Sequence, residues 1–533
     1  MVVLDWAGMG KPGNSQLKKT LVAAGALILL TLLVYLPAIH CGYVWDDDQY
    51  VTANPLLTDA DGLKRIWFSL DSPSQYFPLV YTTFRIEHAL WGFDPLGYHL
   101  VNILIHIMNA LLVWLVLSKL GIRGAWLAAA IFALHPVNVE SVAWITERKN
   151  TVSTLFYLLT IIAWLRYEEN SNHWYYKLAF GTFALSLFAK TTACMLPFTL
   201  LILMWLKGLR INRQRIGDIA PFFIMAGIMG TLTVWWERHH QGTYGEEFSF
   251  SAVERMLIAG RAIWFYLGKL VWPTKLSFSY AKWDIIAADP RQYVWVAALV
   301  LLAIAIWRFR GIGKGLTAAP VFFVITLIPM LGFFSLYTFR YSFVADHYQY
   351  VACLGPIALF SWIISKKWKW ATADCAIRFA LPVLILGTLG VLTWQQTHIY
   401  MDEETIWTDT LAKNPDSVLA HDNLGTILAE RGQYEESNEH YKAALRISPD
   451  FETYQNIGVN LSSLGDYDAA IEYYNKALEL EPDSPAPHFN LAVALYRKGD
   501  YAASWKEVNF CLQNGVDVAP SFLAALSEKM PEP

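Results

Sequence analysis

Long apolar runs alternate with short polar joints over the first 395 residues of the chain. The first run, 21–39, carries no charged residue. It is long enough to cross a hydrocarbon core of about 30 Å, because an α-helix rises about 1.5 Å per residue. Further runs lie at 98–118, 124–136, 151–165, 176–189, 192–206, 217–236, 292–307, 317–336, 348–364 and 376–394. We therefore predict an all-α chain whose first domain, 1–395, crosses a membrane about eleven times.

The segment 251–272 is long enough to be a further span, but charged side chains divide it into one charged and one apolar face. These side chains are Glu254, Arg255, Arg261 and Lys269. We therefore predict that this segment is a helix lying in the membrane interface. The basic clusters then fall in alternate loops, as the positive-inside rule requires, and the loop 40–97 and the C-terminal region lie on the external face.

After Trp394 the chain becomes polar and a period appears. The Asn-led triplets at 423–425, 456–458 and 490–492 are spaced 33 and 34 residues apart, and the Gly-x-Tyr triplets that follow them keep the same phase. This pattern resembles the tetratricopeptide repeat, whose helix pairs stack into a solenoid with a concave face for partner proteins. We predict a second domain, 396–533, of about three repeats with a closing helix at 517–529. The alternative is that the repeats only cap the membrane domain.

Composition agrees with a polytopic membrane protein, since 55% of the residues are hydrophobic and only 16% are charged. The formal net charge is -4 and the basic residues are scattered in short clusters, which argues against a nucleic-acid partner. The five cysteines are far apart and form no C-x-x-C pair, which argues against a zinc or redox site.

Three consecutive carboxylates, Asp46, Asp47 and Asp48, follow the first apolar run. Adjacent carboxylates repel one another unless they share a cation, so the stretch is a candidate site; the alternative is a solvated acidic loop that only marks the end of a span. Other ionisable residues gather at run ends on the same side. They are His135, Glu140, Glu147, Arg148, Lys149, Lys190, Arg340, Asp346 and His347. A lone lysine at a span end is usually a snorkelling anchor, but several such groups on one face favour a site.

Seven sequence blocks, followed by the repeats, resemble the transmembrane-and-TPR O-mannosyltransferases and their bacterial relatives. The blocks are WDDDQYVTANP, YFPLVYTTFR, GYHLVNILIHIMNALLV, ALHPVNVESVAWITERKN, LFAKTTACMLP, LVWPTKLSFSY and ADHYQYVACLG. The resemblance implies the GT-C glycosyltransferase fold, an active site on the external face and a lipid-phosphate sugar donor. Two positions depart from the pattern: His347 stands where relatives typically have Arg, and Phe77 precedes Pro78 where bacterial relatives often have His.

We therefore predict an inverting glycosyltransferase that moves a sugar from a polyprenyl phosphate to a hydroxyl, such as Ser or Thr of an exported protein. Asp46 or Asp47 would accept the proton of that hydroxyl. The donor phosphate would be held by cations chosen from Lys190, Arg148, Lys149, Arg340 and His347. Supporting roles fall to Asp48, His135, Glu140, Glu147 and Asp346. If the acidic stretch is extended, Asp46 and Asp48 point to one side and could also hold a divalent ion, Mg²⁺ or Mn²⁺.

Two other functions are compatible with parts of this pattern. A lipid-linked sugar transporter or flippase would need charges at mid-membrane in broken helices, and only the break at Lys190 has that character. A membrane-anchored repeat scaffold would leave the charged run ends unexplained. The predicted partners are a polyprenyl-phosphate-linked sugar, membrane lipid and a protein bound in the repeat groove. The predicted location is a bacterial inner membrane with the repeats on the periplasmic side.

Overall fold

The computed structural model describes residues 14–69, 74–210, 212–367 and 375–532, and within these ranges every regular element is helical. Backbone contacts divide the chain into two compact units. The first unit comprises 1–278 and 282–406, and the second comprises 279–281 and 407–533. The composition change after Trp394 therefore comes about a dozen residues before the boundary between the units.

The first unit is built from long helices joined by short turns. The helices are α1 Asn14–Val34, α2 Gly62–Phe68, α3 Pro78–Trp91, α4 Pro95–Lys119, α5 Ala125–Leu134, α6 Val139–Ala143, α7 Arg148–Asn170, α8 His173–Ala189, α9 Leu196–Leu206, α10 Arg213–His239, α11 Ala252–Val271, α12 Val294–Phe309, α13 Gly315–Leu327, α14 Leu354–Lys367 and α15 Cys375–Thr397. The next helix, α16 Glu403–Lys413, begins in the first unit and ends in the second. Each apolar run of the sequence coincides with one of these helices, so the prediction of helix is confirmed for all of them.

The number of spans is not confirmed. Four helical stretches of the described chain are long and apolar enough to cross a membrane: α1, α4, α10 and Pro290–Ile312, which contains α12. A fifth candidate joins α5 to Pro136–Ala143 across a bend of 57°. Three other predicted runs form shorter apolar helices, which are Thr191–Leu206, Gly315–Met330 and Leu354–Lys366.

Helix α11 buries Ile258, Ala262 and Tyr266, which are spaced four residues apart and therefore lie along one side of the helix. Ser251 caps its first turn through a reciprocal pair of hydrogen bonds with Glu254. Helix α11 is not among the candidate spans of the described chain, although its position in an interface stays a prediction.

The second unit consists of helix pairs, as the repeat pattern predicts. Its helices after α16 are α17 Val418–Glu430, α18 Tyr434–Ile447, α19 Phe451–Ser463, α20 Tyr467–Leu480, α21 Pro485–Lys498, α22 Tyr501–Gln513 and α23 Pro520–Lys529. Helix α23 is the predicted closing helix, and its Leu526 packs with Trp505 and Val508 of the third pair. The described chain therefore holds three helix pairs at the positions of the predicted repeats, and one further helix follows them.

In the first two repeats, a glycine of the first helix is explained by the tyrosine that faces it from the second helix of the pair. A Cβ atom on Gly425 would lie 2.6 Å from the Tyr441 ring, and one on Gly458 would lie 2.5 Å from the Tyr474 ring. In the third repeat the smaller Val508 takes the place of tyrosine and clusters with Ala492. The two positions are therefore complementary in size, and a bulky ring requires glycine opposite it.

Candidate active site

The acidic stretch is not extended. Trp45 has a φ of 49°, in the left-handed region, and a short π-helical turn, Asp48–Thr52, follows Asp47. The three carboxylates consequently face three environments: Asp46 is half-buried, Asp47 is buried and Asp48 is exposed. The extended geometry that would let Asp46 and Asp48 share a metal ion is therefore wrong. No group of three or more His, Cys, Asp or Glu side chains in the described ranges is placed to hold a metal, and metal use stays a prediction.

Hydrogen bonds to Asp47 connect its loop to the turn before α7. One carboxylate oxygen accepts hydrogen bonds from the backbone N–H of Thr146, at 2.8 Å, and from the hydroxyl of Thr146. The other oxygen accepts the backbone N–H of Val44 at 2.9 Å. Burial and the neighbouring Asp46 raise the pKa of Asp47, and these hydrogen bonds oppose the shift. Both carboxylate oxygens of Asp47 are therefore engaged by groups of the protein itself.

Asp46 is the carboxylate that remains available for chemistry. Its Oδ1 atom is buried and has no hydrogen-bond partner within the described part of the chain. Burial raises the pKa of Asp46 to about 6, although the nearby Lys149 ammonium opposes the shift. A carboxylate with a pKa near neutrality suits a general base.

Glu147 lies at the centre of the cationic cluster. It ends the 3-10 turn Ile145–Glu147 immediately before α7, and its side chain is buried. Its Oε1 atom lies 2.8 Å from Nζ of Lys149, and its Oε2 atom lies 3.3 Å from Nζ of Lys190. Asn150 also donates to Oε2. Burial alone would raise the pKa of Glu147, but His347 and the two lysines outweigh it and hold the pKa at about 2.

The two lysines reach Glu147 from different elements. Lys149 is in the first turn of α7, where its ammonium lies 5.2 Å from the ring centre of Tyr50 and 5.4 Å from that of Trp144. Lys190 occupies the break between α8 and the turn Thr191–Met195. Burial lowers the pKa of Lys190 to about 8, while Glu147 opposes the shift. The break in the hydrophobic stretch therefore places a cation in the cluster.

The block around Asp346 and His347 closes the cluster from the turn Asp346–Gln349. Nδ1 of His347 lies 3.1 Å from Oε1 of Glu140, and its Nε2 lies 3.6 Å from Oε1 of Glu147. The backbone N–H of His347 donates to the other oxygen of Glu140 at 2.8 Å. Asp346 is buried beside it. The structure therefore brings together five of the residues that the sequence singled out, which are Glu140, Glu147, Lys149, Lys190 and His347.

Three other predicted residues lie apart from this cluster. Arg148 is fully buried and donates from its guanidinium to both oxygens of Glu87, to Asn102 and to the Tyr98 carbonyl. Arg340 pairs with Glu247 at 3.2 Å at an exposed position. Nε2 of His135 lies 3.0 Å from the Leu270 carbonyl, and its Nδ1 accepts the backbone N–H of Val137. The contacts of all three are structural ones.

Sequence reasoning missed a polar stripe on α4. Its fully buried members are His99, Asn102, His106 and Asn109. Asn102 approaches the carbonyl oxygens of Trp144 and Ile145, and Asn109 donates to the carbonyl of Thr151 at 2.9 Å. The stripe therefore fixes the chain on both sides of Glu147. Spacings of three, four and three residues in an otherwise apolar run were the available signal.

Three family models match parts of the chain. Residues 71–236 match the family model for dolichyl-phosphate-mannose-protein mannosyltransferases. This range holds Glu147, Lys149 and Lys190, whereas Asp46 and His347 lie outside it. Residues 418–451 and 461–499 match tetratricopeptide-repeat models.

The individual proteins that match this chain have low sequence identity to it. The chain is 26% identical to a protein O-mannosyl-transferase of Drosophila melanogaster, over 79% of this chain and 60% of the relative. For protein O-mannosyl-transferases of Caenorhabditis elegans and Homo sapiens the identity is 24%, over 80% of this chain and 63% and 56% of the relatives. The chain thus spans less than two-thirds of the length of these curated relatives. Its first part is therefore similar to dolichyl-phosphate-mannose-protein mannosyltransferases, its last part is similar to tetratricopeptide repeats, and the curated relatives that match it are named protein O-mannosyl-transferases.

Proposed function

We propose that this protein is a multi-pass membrane glycosyltransferase that moves mannose from a polyprenyl phosphate to a Ser or Thr hydroxyl of a protein. The observation that carries the proposal is the buried pairing of Lys149 and Lys190 on Glu147, next to the unpartnered Oδ1 of Asp46. The names of the family model and of the relatives support mannose as the sugar and protein as the acceptor.

The two lysines suit a phosphate. An ammonium group has three donors, and each lysine lies against only one oxygen of Glu147, so both retain donors for an anion. Charge-assisted hydrogen bonds to phosphate oxygens are stronger than neutral ones, above all in a site that excludes water. Lys149 and Lys190 would therefore stabilise the charge that stays on the leaving phosphate. Arg148 has no part in this proposal because Glu87 already pairs with it.

Asp46 suits the other half of the reaction. The acceptor oxygen attacks the anomeric carbon from the face opposite the phosphate and forms the new C–O bond as the bond from that carbon to the phosphate oxygen breaks. The hydroxyl proton passes to Oδ1 of Asp46, and the leaving phosphate keeps the bonding electron pair. This sequence inverts the anomeric configuration and requires no acid for the leaving group. Asp47 holds the loop that carries Asp46.

The sidedness of the proposal rests on the eleven-span arrangement with α11 in the interface. The acidic loop and the repeats then share the external face. For a bacterial protein this face is periplasmic.

The test uses the full chain purified into liposomes that contain polyprenyl-phosphate mannose. A panel of Ser- and Thr-containing peptides is added, and the mass of each peptide is measured. A gain of one hexose that requires both Lys149 and Lys190 supports the proposal. Movement of the lipid-linked sugar across the bilayer without covalent transfer would instead favour a flippase. Neither transfer nor movement would favour the repeat scaffold.

A further inference from the structure

Aromatic rings form a wall beside Asp46. The ring centres of Trp45 and Trp144 are 5.6 Å apart, and Phe278 lies 5.4 Å from the first and 4.9 Å from the second. Trp144 and Phe278 are buried, whereas Trp45 is half-buried. The wall therefore reaches the accessible side of the site through Trp45.

The backbone at Trp45 is strained. Its φ of 49° lies in the left-handed region, which bulky side chains rarely adopt. The surrounding structure holds it there, since the backbone N–H of Trp45 donates to Glu403 at 3.0 Å. Strained residues of this kind cluster at functional sites, and Trp45 immediately precedes Asp46. The strain fixes the indole ring and the carboxylate relative to each other.

Trp144 has an indole N–H that donates no hydrogen bond within the described part of the protein. Its Nε1 atom is buried and has no hydrogen-bond partner among the described residues. Leaving a buried N–H unpaired is unfavourable, so such a group needs an explanation. The ring centre of Trp144 lies 5.4 Å from Nζ of Lys149 and 5.8 Å from the ring centre of His347. The ring that carries the unpaired N–H thus packs against the cluster that surrounds Glu147.

We propose that this aromatic wall is the sugar-binding surface of the site. The apolar face of a pyranose ring packs against Trp45, and the Nε1–H of Trp144 donates to one of the sugar hydroxyl oxygens. A neutral indole N–H matches a neutral hydroxyl, whereas the lysines match the phosphate. The inference rests on the proposed function and adds to it the surface that selects the sugar.

Trp144→Phe tests the hydrogen bond with little change in packing, because phenylalanine retains an aromatic ring but has no N–H. Equilibrium binding of the full chain is measured with polyprenyl-phosphate mannose and with a set of its monodeoxy forms. We expect the wild-type protein to bind one monodeoxy form about tenfold more weakly than polyprenyl-phosphate mannose itself. That form lacks the hydroxyl that pairs with the buried Nε1–H of Trp144, so this N–H is left without an acceptor. In Trp144→Phe that difference should disappear, while the differences for the other monodeoxy donors remain.

Trp164→Phe is the matched control. Trp164 is also fully buried with an Nε1 atom that has no partner in the described ranges, but it packs against Phe222 and Tyr167, away from the site. This variant should lose some stability and discriminate among the donors as wild type does. The inference would be overturned if Trp144→Phe and wild type showed the same loss of affinity for every monodeoxy form. Absence of any donor binding to wild type would overturn the proposed function as well.

Discussion

Nζ of Lys190 lies 3.3 Å from Oε2 of Glu147, so the lysine that interrupts a long hydrophobic stretch is paired with a carboxylate from another helix. A pairing of this kind offsets the cost of burying a cation between two apolar helices. It also leaves the ammonium close to Lys149, which shares the same carboxylate.

The first prediction concerns pH. Burial raises the pKa of Asp46 to about 6, and a base must be deprotonated, so the transfer rate should fall as the pH drops below about 6. Burial lowers the pKa of Lys190 to about 8, and a phosphate-binding lysine must be protonated, so the rate should also fall as the pH rises above about 8. The measurement is kcat/KM against pH.

Lys190→Arg identifies the alkaline limb of that profile. A guanidinium stays protonated throughout the range, so the fall near pH 8 should move upward or vanish while the acid limb remains. An alkaline limb that is unchanged in Lys190→Arg would show that another group titrates there.

The second prediction separates Arg148 from its neighbour Lys149. Arg148→Met leaves Glu87 as an uncompensated buried charge, which typically costs about 3–5 kcal/mol, and the thermal unfolding temperature should fall sharply. Lys149→Met leaves Glu147 paired with Lys190, so the fold should survive while the donor KM rises. Normal folding of Arg148→Met together with weak donor binding would place Arg148 in the site instead.

This pair also illustrates what the sequence could and could not predict. The apolar runs and the repeat period predict almost every helix, because burial in a membrane or a solenoid imposes a pattern on the chain itself. Adjacent residues of a helix, however, point about 100° apart, so Arg148 and Lys149 face different neighbours. Which of them meets Glu87 and which meets Glu147 depends on the packing of α3 and α4, and no local pattern records it.

The prediction that the acidic stretch is extended was wrong for a related reason. An isolated run of three aspartates gives no sign of the left-handed Trp45 or of the hydrogen bonds from Thr146 to Asp47. Those contacts join residues a hundred positions apart. The different surroundings of the three aspartates therefore depend on contacts that form only in the folded protein.

The third prediction concerns the repeats. Gly425→Ala should destabilise the second unit, because the added methyl group collides with the Tyr441 ring. Small-to-large changes in packed cores typically cost about 1–3 kcal/mol. Gly425→Ala combined with Tyr441→Val reproduces the Ala492 and Val508 pair of the third repeat and should recover much of the loss. Equal stability of the single and double variants in chemical denaturation would contradict the size-complementarity argument.

The fourth prediction concerns sidedness. Alkaline phosphatase fused after Glu532 and after Asp59 should be active in both positions, because the enzyme folds only after export and the eleven-span arrangement places both sites outside. An inactive fusion at Glu532 with an active fusion at Asp59 would make α11 a span. The repeats would then be cytoplasmic and could not present an acceptor to Asp46.

The central claim is that Asp46 is the base and that Asp47 only holds its loop. The most direct measurement is the single-turnover transfer rate of Asp46→Asn with saturating donor, beside Asp47→Asn as the neighbouring carboxylate variant. We predict that Asp46→Asn folds, binds donor and transfers about 10² to 10⁴ times more slowly, as expected for loss of a general base. Asp47→Asn should chiefly lower thermal stability. Full transfer by Asp46→Asn would contradict the account.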